Sequence, residues 1–291
     1  MHSFIKTGAL FATAILVQYS VSARPFDADS TGLPGDNLSL QAALSAFSTS
    51  TSIEDFEKKL NTAGNDINNL DLNGDGDIDY IRVIDKTEGD AHAFVLQAVV
   101  SASESQDIAV IELEKDGAES ASVQIVGDED IYGEETIVEP GDDSNAGVFY
   151  NGEEMLSGPS AVETPVVVVN VWAWPSVRFV YGPVYRPWVS PWRWAAYPGW
   201  YRPWHPVAFH VFHPRRVHYH TRFVVVPTHR MVAARKVYRP ARVTSVTVTR
   251  RYSAPVGHYR ATTTRKTTVV KGPRGNTRAV RTTRHTRVRR H

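Results

Sequence analysis

The chain of 291 residues is 42% hydrophobic, enough to build a core, and contains no cysteine. That excludes disulfides, thiolate-bound zinc, a thiol nucleophile and a lipidated N-terminal cysteine. The formal net charge of +1 conceals two opposed blocks: all 31 Asp and Glu lie at or before Glu163, and 25 of the 32 Lys and Arg lie at or after Arg178. Residues 24–163 sum to −25 and residues 164–291 to +25, so the halves either attract each other or the basic half is directed at an anionic partner.

In chain order, Lys6 precedes an apolar stretch at 8–17, and small or short residues stand at Val21 and Ala23. This pattern predicts a secretory signal cleaved after Ala23, with an apolar segment too short to span a bilayer. No later run reads as a membrane helix, so the mature chain is expected in the periplasm, on the outer-membrane surface or outside the cell. Residues 24–35 read as a flexible lead-in rich in Pro, Gly, Asp and Ser. Asp36 or Asn37 is then placed to cap a helix that has Leu40, Leu44 and Phe47 on one face. A second helix starts with Thr51 and Glu54 at capping-box spacing, carries Ile53, Phe56 and Leu60 on one face, and ends near Gly64 and Asn65.

Four extended stretches follow, at 78–84, 91–100, 108–114 and 120–126, separated by the turn sequences "TEGD", "ESQD" and "KDGA". The third alternates, with Ala109, Ile111 and Leu113 on one face and Glu112 and Glu114 turned toward water. The expected fold is α+β over residues 36–140, with one or two short helices packed on a small antiparallel meander. Residues 141–165 read as an acidic linker.

Between helix and sheet lies "DLNGDGDID" at 71–79. Calcium takes six to eight oxygens, and a short loop supplies them from alternate residues. Asp71, Asn73, Asp75 and Asp79 stand at loop positions 1, 3, 5 and 9; Asp77 at position 7 offers its backbone carbonyl, Gly76 permits the turn, and Ile78 pins the loop to the core. An EF-hand needs a glutamate at position 12, where this chain has Arg82, and a helix afterwards, where this chain has strand formers. The loop resembles instead the calcium loops of FG-GAP and VCBS-type repeats, which lie in a β-hairpin and need no twelfth ligand. Two readings stand: a structural calcium site, with a dissociation constant on the order of 10⁻⁴ to 10⁻³ M, or a metal-free turn between helix and strand. The wider stretch, "IEDFEKKL" and "NNLDLNGDGDIDYIRV" with "VLQAVV" and "IAVIELEKDG" after it, resembles a family of exported Bacteroidota-type proteins. That likeness implies export and an intact domain, and brings no catalytic residue.

The basic half opens with "PVVVVNVWAW", a possible strand, and all seven Trp fall between Trp172 and Trp204. The motif "YRPW" occurs twice, at 185–188 and 201–204, in a stretch whose prolines forbid regular helix or central strand. "ARVTSVTVTR" at 241–250 is a second candidate strand, and disorder is expected from about Tyr252. Arg beside Trp and Tyr suits anionic envelope polymers, such as phosphorylated glycans or lipid headgroups, an acidic protein surface including the chain's own first half, or another copy. Nucleic acid fits the charge, but no nucleic-acid-binding fold is recognisable and a signal segment removes the chain from most of it. The alternative is that the rings only pack on one another. His205, His210, His213, His218 and His220 cluster in sequence, His218 and His220 on one face of an expected strand, yet Arg215, Arg216 and Arg222 oppose a metal there. His92 reads as a surface or structural residue. With no nucleophile elbow, phosphate loop, dinucleotide fingerprint or metalloprotease motif, the expected function is a non-enzymatic envelope binding or structural protein. The competing expectation is a secreted enzyme or inhibitor that the basic half only tethers.

Overall fold

The computed structural model describes residues 30–141, 168–271 and 277–286, with side chains through Arg260. The signal segment, the first half of the lead-in and nearly all of the acidic linker lie outside the described residues.

Two helices open the acidic half, α1 (Leu40–Ser48) and α2 (Ile53–Leu60). Leu40, Leu44 and Phe47 of the first and Ile53, Phe56 and Leu60 of the second are all buried. Their caps differ from the sequence reading by a few residues. Ser39, not Asp36 or Asn37, accepts the Ala42 amide at 3.1 Å, and Asp36 instead takes the Ser30 and Thr31 hydroxyls and the Gly32 amide. In α2 the reciprocal box is one residue along: Ser52 accepts from the Asp55 amide at 3.0 Å, and the Asp55 carboxylate accepts from the Thr51 amide at 3.1 Å.

The sheet is antiparallel throughout: β1 (Ile81–Glu88), β2 (Ala91–Val99), β3 (Ser105–Gly117), β4 (Ser120–Gly127), β5 (Thr136–Pro140) and β6 (Phe223–Val226), in sequential order. The α+β class and the meander match the expectation; its extent does not. Seven α-helices occur among the described residues, three of them before residue 141, where one or two were expected. The third is the short α3 (Glu129–Tyr132), capped by Asp128 in an all-acidic run. The others are α4 (Pro175–Val180), α5 (Phe209–Arg216), α6 (Val232–Tyr238) and α7 (Val246–Thr262). A hairpin of β7 (Thr263–Lys271) and β8 (Thr277–Thr286) follows.

An antiparallel sheet normally leaves one face to water, but here every residue of β2 is buried. One face carries Val83, Phe94, Leu96, Ile111 and Ile125 against α1 and α2. The other carries Ala93, Val95, Val110, Val126 and Ile137 against Tyr238 of α6. Glu112, expected near water, is consequently only 1% exposed and faces His229 from the basic half.

The basic half also covers both sheet edges. β6 pairs with β5 from Ile137↔Val226 to Pro140↔Phe223. Beside β1, the Asp85 amide donates to Trp188 O at 2.7 Å and the Ser190 amide to Val83 O at 3.0 Å, with a single bridge at Ile84↔Val189. Unpaired edges invite association with other chains; here the basic half adds a short four-residue edge strand beyond β5 and a partial cover beside β1.

Three sequence expectations in this half are overturned. Residues 168–174 form no strand: Asn170 accepts the Ala121 and Trp172 amides, and the chain turns into α4. "VTVTR" is helical, because Ser245 Oγ accepts the Val248 amide at 3.2 Å as an N-cap and Val248 is fully buried. That local cap and burial outweigh the strand preference of β-branched residues. The helix continues through Thr262, past the point where disorder was expected, and buries Val256 and Tyr259.

Candidate functional site

The 71–79 loop is anchored by Leu70, Leu72 and Ile78, each at most 2% exposed. Gly74 and Gly76 take φ values of 74° and 92°, which side chains with a Cβ disfavour. Asp71 accepts the Gly74 amide at 2.6 Å and the Gly76 amide at 3.0 Å; Asn73 accepts from Asp75, and Asp75 from Asp77, each at 2.9 Å. Asp79 Oδ2 accepts the Leu72 amide at 2.6 Å. Burial, with the Asp71 and Asp75 charges adding to it, pushes the Asp79 carboxyl up to about 7. The donors are all oxygen, the set a hard divalent cation takes. Among the described residues, however, no three His, Asp or Glu side chains already converge on one point as a metal shell.

What the sequence did not reveal is that the basic half holds this loop. The Ile78 amide donates to Trp204 O at 2.8 Å and Ile78 O accepts from Tyr201 Oη at 2.8 Å. His205 Nδ1 lies 2.8 Å from Gly76 O and 3.3 Å from Asp77 Oδ1. Arg251 Nη1 donates to Asn73 O at 2.7 Å, and Tyr252 Oη to Asp71 O at 3.3 Å. Asn69 exchanges two bonds with the Val207 backbone.

The two "YRPW" repeats are docking devices of one design. In each, the arginine turns back to its own tyrosine carbonyl, Arg186 to Tyr185 at 2.8 Å and Arg202 to Tyr201 at 2.7 Å. The tyrosine is thereby left to engage the acidic half: Tyr185 Oη donates to Asp85 at 2.7 Å, as Tyr201 does to Ile78 O. Trp188 of the first repeat donates to Glu57 at 3.1 Å. The repetition was legible in the sequence; its targets, 100 or more residues away, were not.

Glu57 is the most heavily bonded carboxylate at this junction. It is 2% exposed, and it accepts from Tyr80 Oη at 2.8 Å, Val83 N at 2.8 Å, Trp188 Nε1 at 3.1 Å and Ser190 Oγ at 2.7 Å. Burial pushes its carboxyl upward, and the four donors pull against that. Nearby, His92 is buried: its Nδ1 lies 3.0 Å from Asp85 and its ring stacks on Phe94. It joins Asp85 and Tyr185 in a packed polar cluster.

A third junction lies on the opposite sheet face. Arg242 binds Asp128 at 2.5 and 2.7 Å and Asp130 at 2.6 Å; Arg230 binds Glu139 at 2.9 Å; Arg235 binds Glu135 at 2.8 Å, joined there by Arg239. Burial raises the carboxyls of Glu112, Asp128 and Glu139, and their cationic partners oppose it. The sequence-level option that the basic half lies back on the acidic one is therefore what the chain does between residues 171 and 260.

The histidines divide. His205 sits at the loop, whereas His213, in α5 with Arg216 Nη2 at 3.2 Å from its Nδ1, has its ring centroid 6.5 Å from that of His220, and His218 and His220 fall in a 3-10 turn at Val217–Thr221 rather than a strand. Burial, then Arg216 and the neighbouring histidines, lower the His220 pKa, an environment that repels cations. No protein family, curated protein or solved structure matches the chain. Among the described residues no helix is long and apolar enough to cross a membrane.

Proposed function

We propose that the chain is an exported, non-enzymatic binding or structural protein of the cell envelope. In this reading calcium in the 71–79 loop stabilises the fold, and the last 31 residues contact an anionic surface or acidic partner. The observation that carries the reading is the division of the basic charge. Arg230, Arg235, Arg239, Arg242 and Arg260 all lie within ion-pair distance of carboxylates of the acidic half. Residues 261–291 then add ten Lys and Arg and no acid. A phosphorylated glycan or a lipid headgroup layer offers the repeated negative charge such a segment suits. The signal-like residues 1–23 support export.

Removing residues 263–291 is expected to abolish binding to anionic vesicles while leaving the fold cooperative, and binding by the full chain is expected to weaken steeply between about 50 and 500 mM salt. Vesicle binding that survives the truncation, or that ignores salt, contradicts the proposal. For the metal, Asp71, Asn73, Asp75 and Asp79 would supply side-chain oxygens and Asp77 its carbonyl. At ten times the dissociation constant, calcium would stabilise the fold by about 1.4 kcal/mol, a rise of roughly 3–5 °C in Tm. An unchanged Tm, with unchanged amide shifts over residues 71–79, removes calcium from the account.

A further inference from the structure

A cleft of about 180 Å³ opens beside the loop, with Asp75, Asp77 and Asp79 on one side and Trp194, Tyr197 and Tyr201 on the other. The acidic side alone would be a feature of the turn. The aromatic side comes from a segment more than 100 residues later, and two observations single it out.

First, Ala195 holds a φ of 57°, a left-handed conformation uncommon for a residue with a Cβ, in a two-residue turn closed by backbone bonds between Arg193 and Ala196. The turn sets Trp194, 36% exposed, at the rim. Tyr197 is tied inward by stacking on Tyr80 at 5.3 Å. Second, Asp79 is only 5% exposed and lines the cleft, yet while its Oδ2 holds the Leu72 amide, its Oδ1 has no hydrogen-bond donor among the described residues.

Three carboxylates disfavour an anion and leave a purely apolar ligand with uncompensated polar surface. A cation meets both walls, since ring faces attract positive charge and carboxylates pair with it. The volume suits a small headgroup rather than a drug-sized molecule. We propose that this cleft binds an organic ammonium group, held between the Trp194 and Tyr197 rings and the carboxylates of Asp77 and Asp79. The site goes beyond the calcium reading. Because a metal in the loop would draw on Asp75 and Asp79, the test excludes metal.

Titrating the full chain with choline in the presence of a chelator should give saturable heat, with a dissociation constant in the millimolar range. Trp194→Ala, at an exposed position, and Asp77→Asn, at a half-exposed one, should each weaken binding about tenfold. The uncharged isostere 3,3-dimethyl-1-butanol should bind at least about tenfold more weakly than choline. Absence of saturable choline binding overturns the proposal. So does equal binding of the neutral isostere, which would mark an apolar pocket, or parental affinity in both variants.

Discussion

Replacing Glu57 by alanine is expected to destabilise the protein by about 2–6 kcal/mol, at about 1–3 kcal/mol for each of two fixed buried donors left unpaired. The carboxylate accepts four bonds, and two of its donors, the Val83 amide and the Trp188 indole N–H, are fixed by backbone and ring. Alanine strands both without a partner, and a buried donor left unpaired costs its full desolvation. Glutamine should be far milder. Its oxygen can face Val83 and Trp188, and its amide can donate to the Tyr80 and Ser190 hydroxyls, which rotate to accept. Urea denaturation of E57A and E57Q discriminates: equal losses in the two variants would mean that shape, not hydrogen bonding, matters at this position. Because burial raises the Glu57 pKa, its ionisation opposes folding. Its contribution should be most favourable below about pH 4.5 and decline as pH rises through the raised value.

The second large effect is expected at Arg242. Its guanidinium bridges Asp128, which is 7% exposed, to Asp130. Arg242→Ala leaves Asp128 buried without its strongest counter-charge, at a cost of about 3 kcal/mol near pH 8. Burial already lifts the Asp128 pKa, and losing the arginine lifts it further. The variant's Asp128 can relieve the penalty only by taking up a proton. The loss should therefore shrink as pH falls toward 4, where the carboxyl is neutral in the folded and increasingly in the unfolded chain. A penalty independent of pH between 4 and 8 would show that the arginine acts through packing alone.

The sequence made the local devices legible. The apolar faces of α1 and α2, the four central strands and the turn chemistry of the 71–79 loop follow from periodicity and propensity, and the structure places them within a few residues. The failures share one cause, which is long-range burial. Glu112 alternates like a solvent-facing residue, but His229 covers it. The "VTVTR" segment has strand-forming side chains, but Ser245 caps it and the acidic half buries Val248. Nothing local in the run Asp128, Glu129 and Asp130 signals its role, which comes only from Arg242, more than 110 residues later. Opposite charge blocks left attraction between the halves as one of two options, and no local pattern could say which arginine meets which acid.

The basic half between residues 171 and 260 belongs to the fold of the acidic half, covering β1, β5 and one sheet face. That shared fold is tested most directly by comparing the thermal unfolding of residues 30–141 with that of the same fragment mixed with residues 168–260. The first fragment alone should show no cooperative transition, because β1, β5 and the Val95, Val110 and Val126 face lose their cover, and mixing should restore one. A fragment of residues 30–141 that melts cooperatively alone, within a few degrees of the full chain, would contradict it.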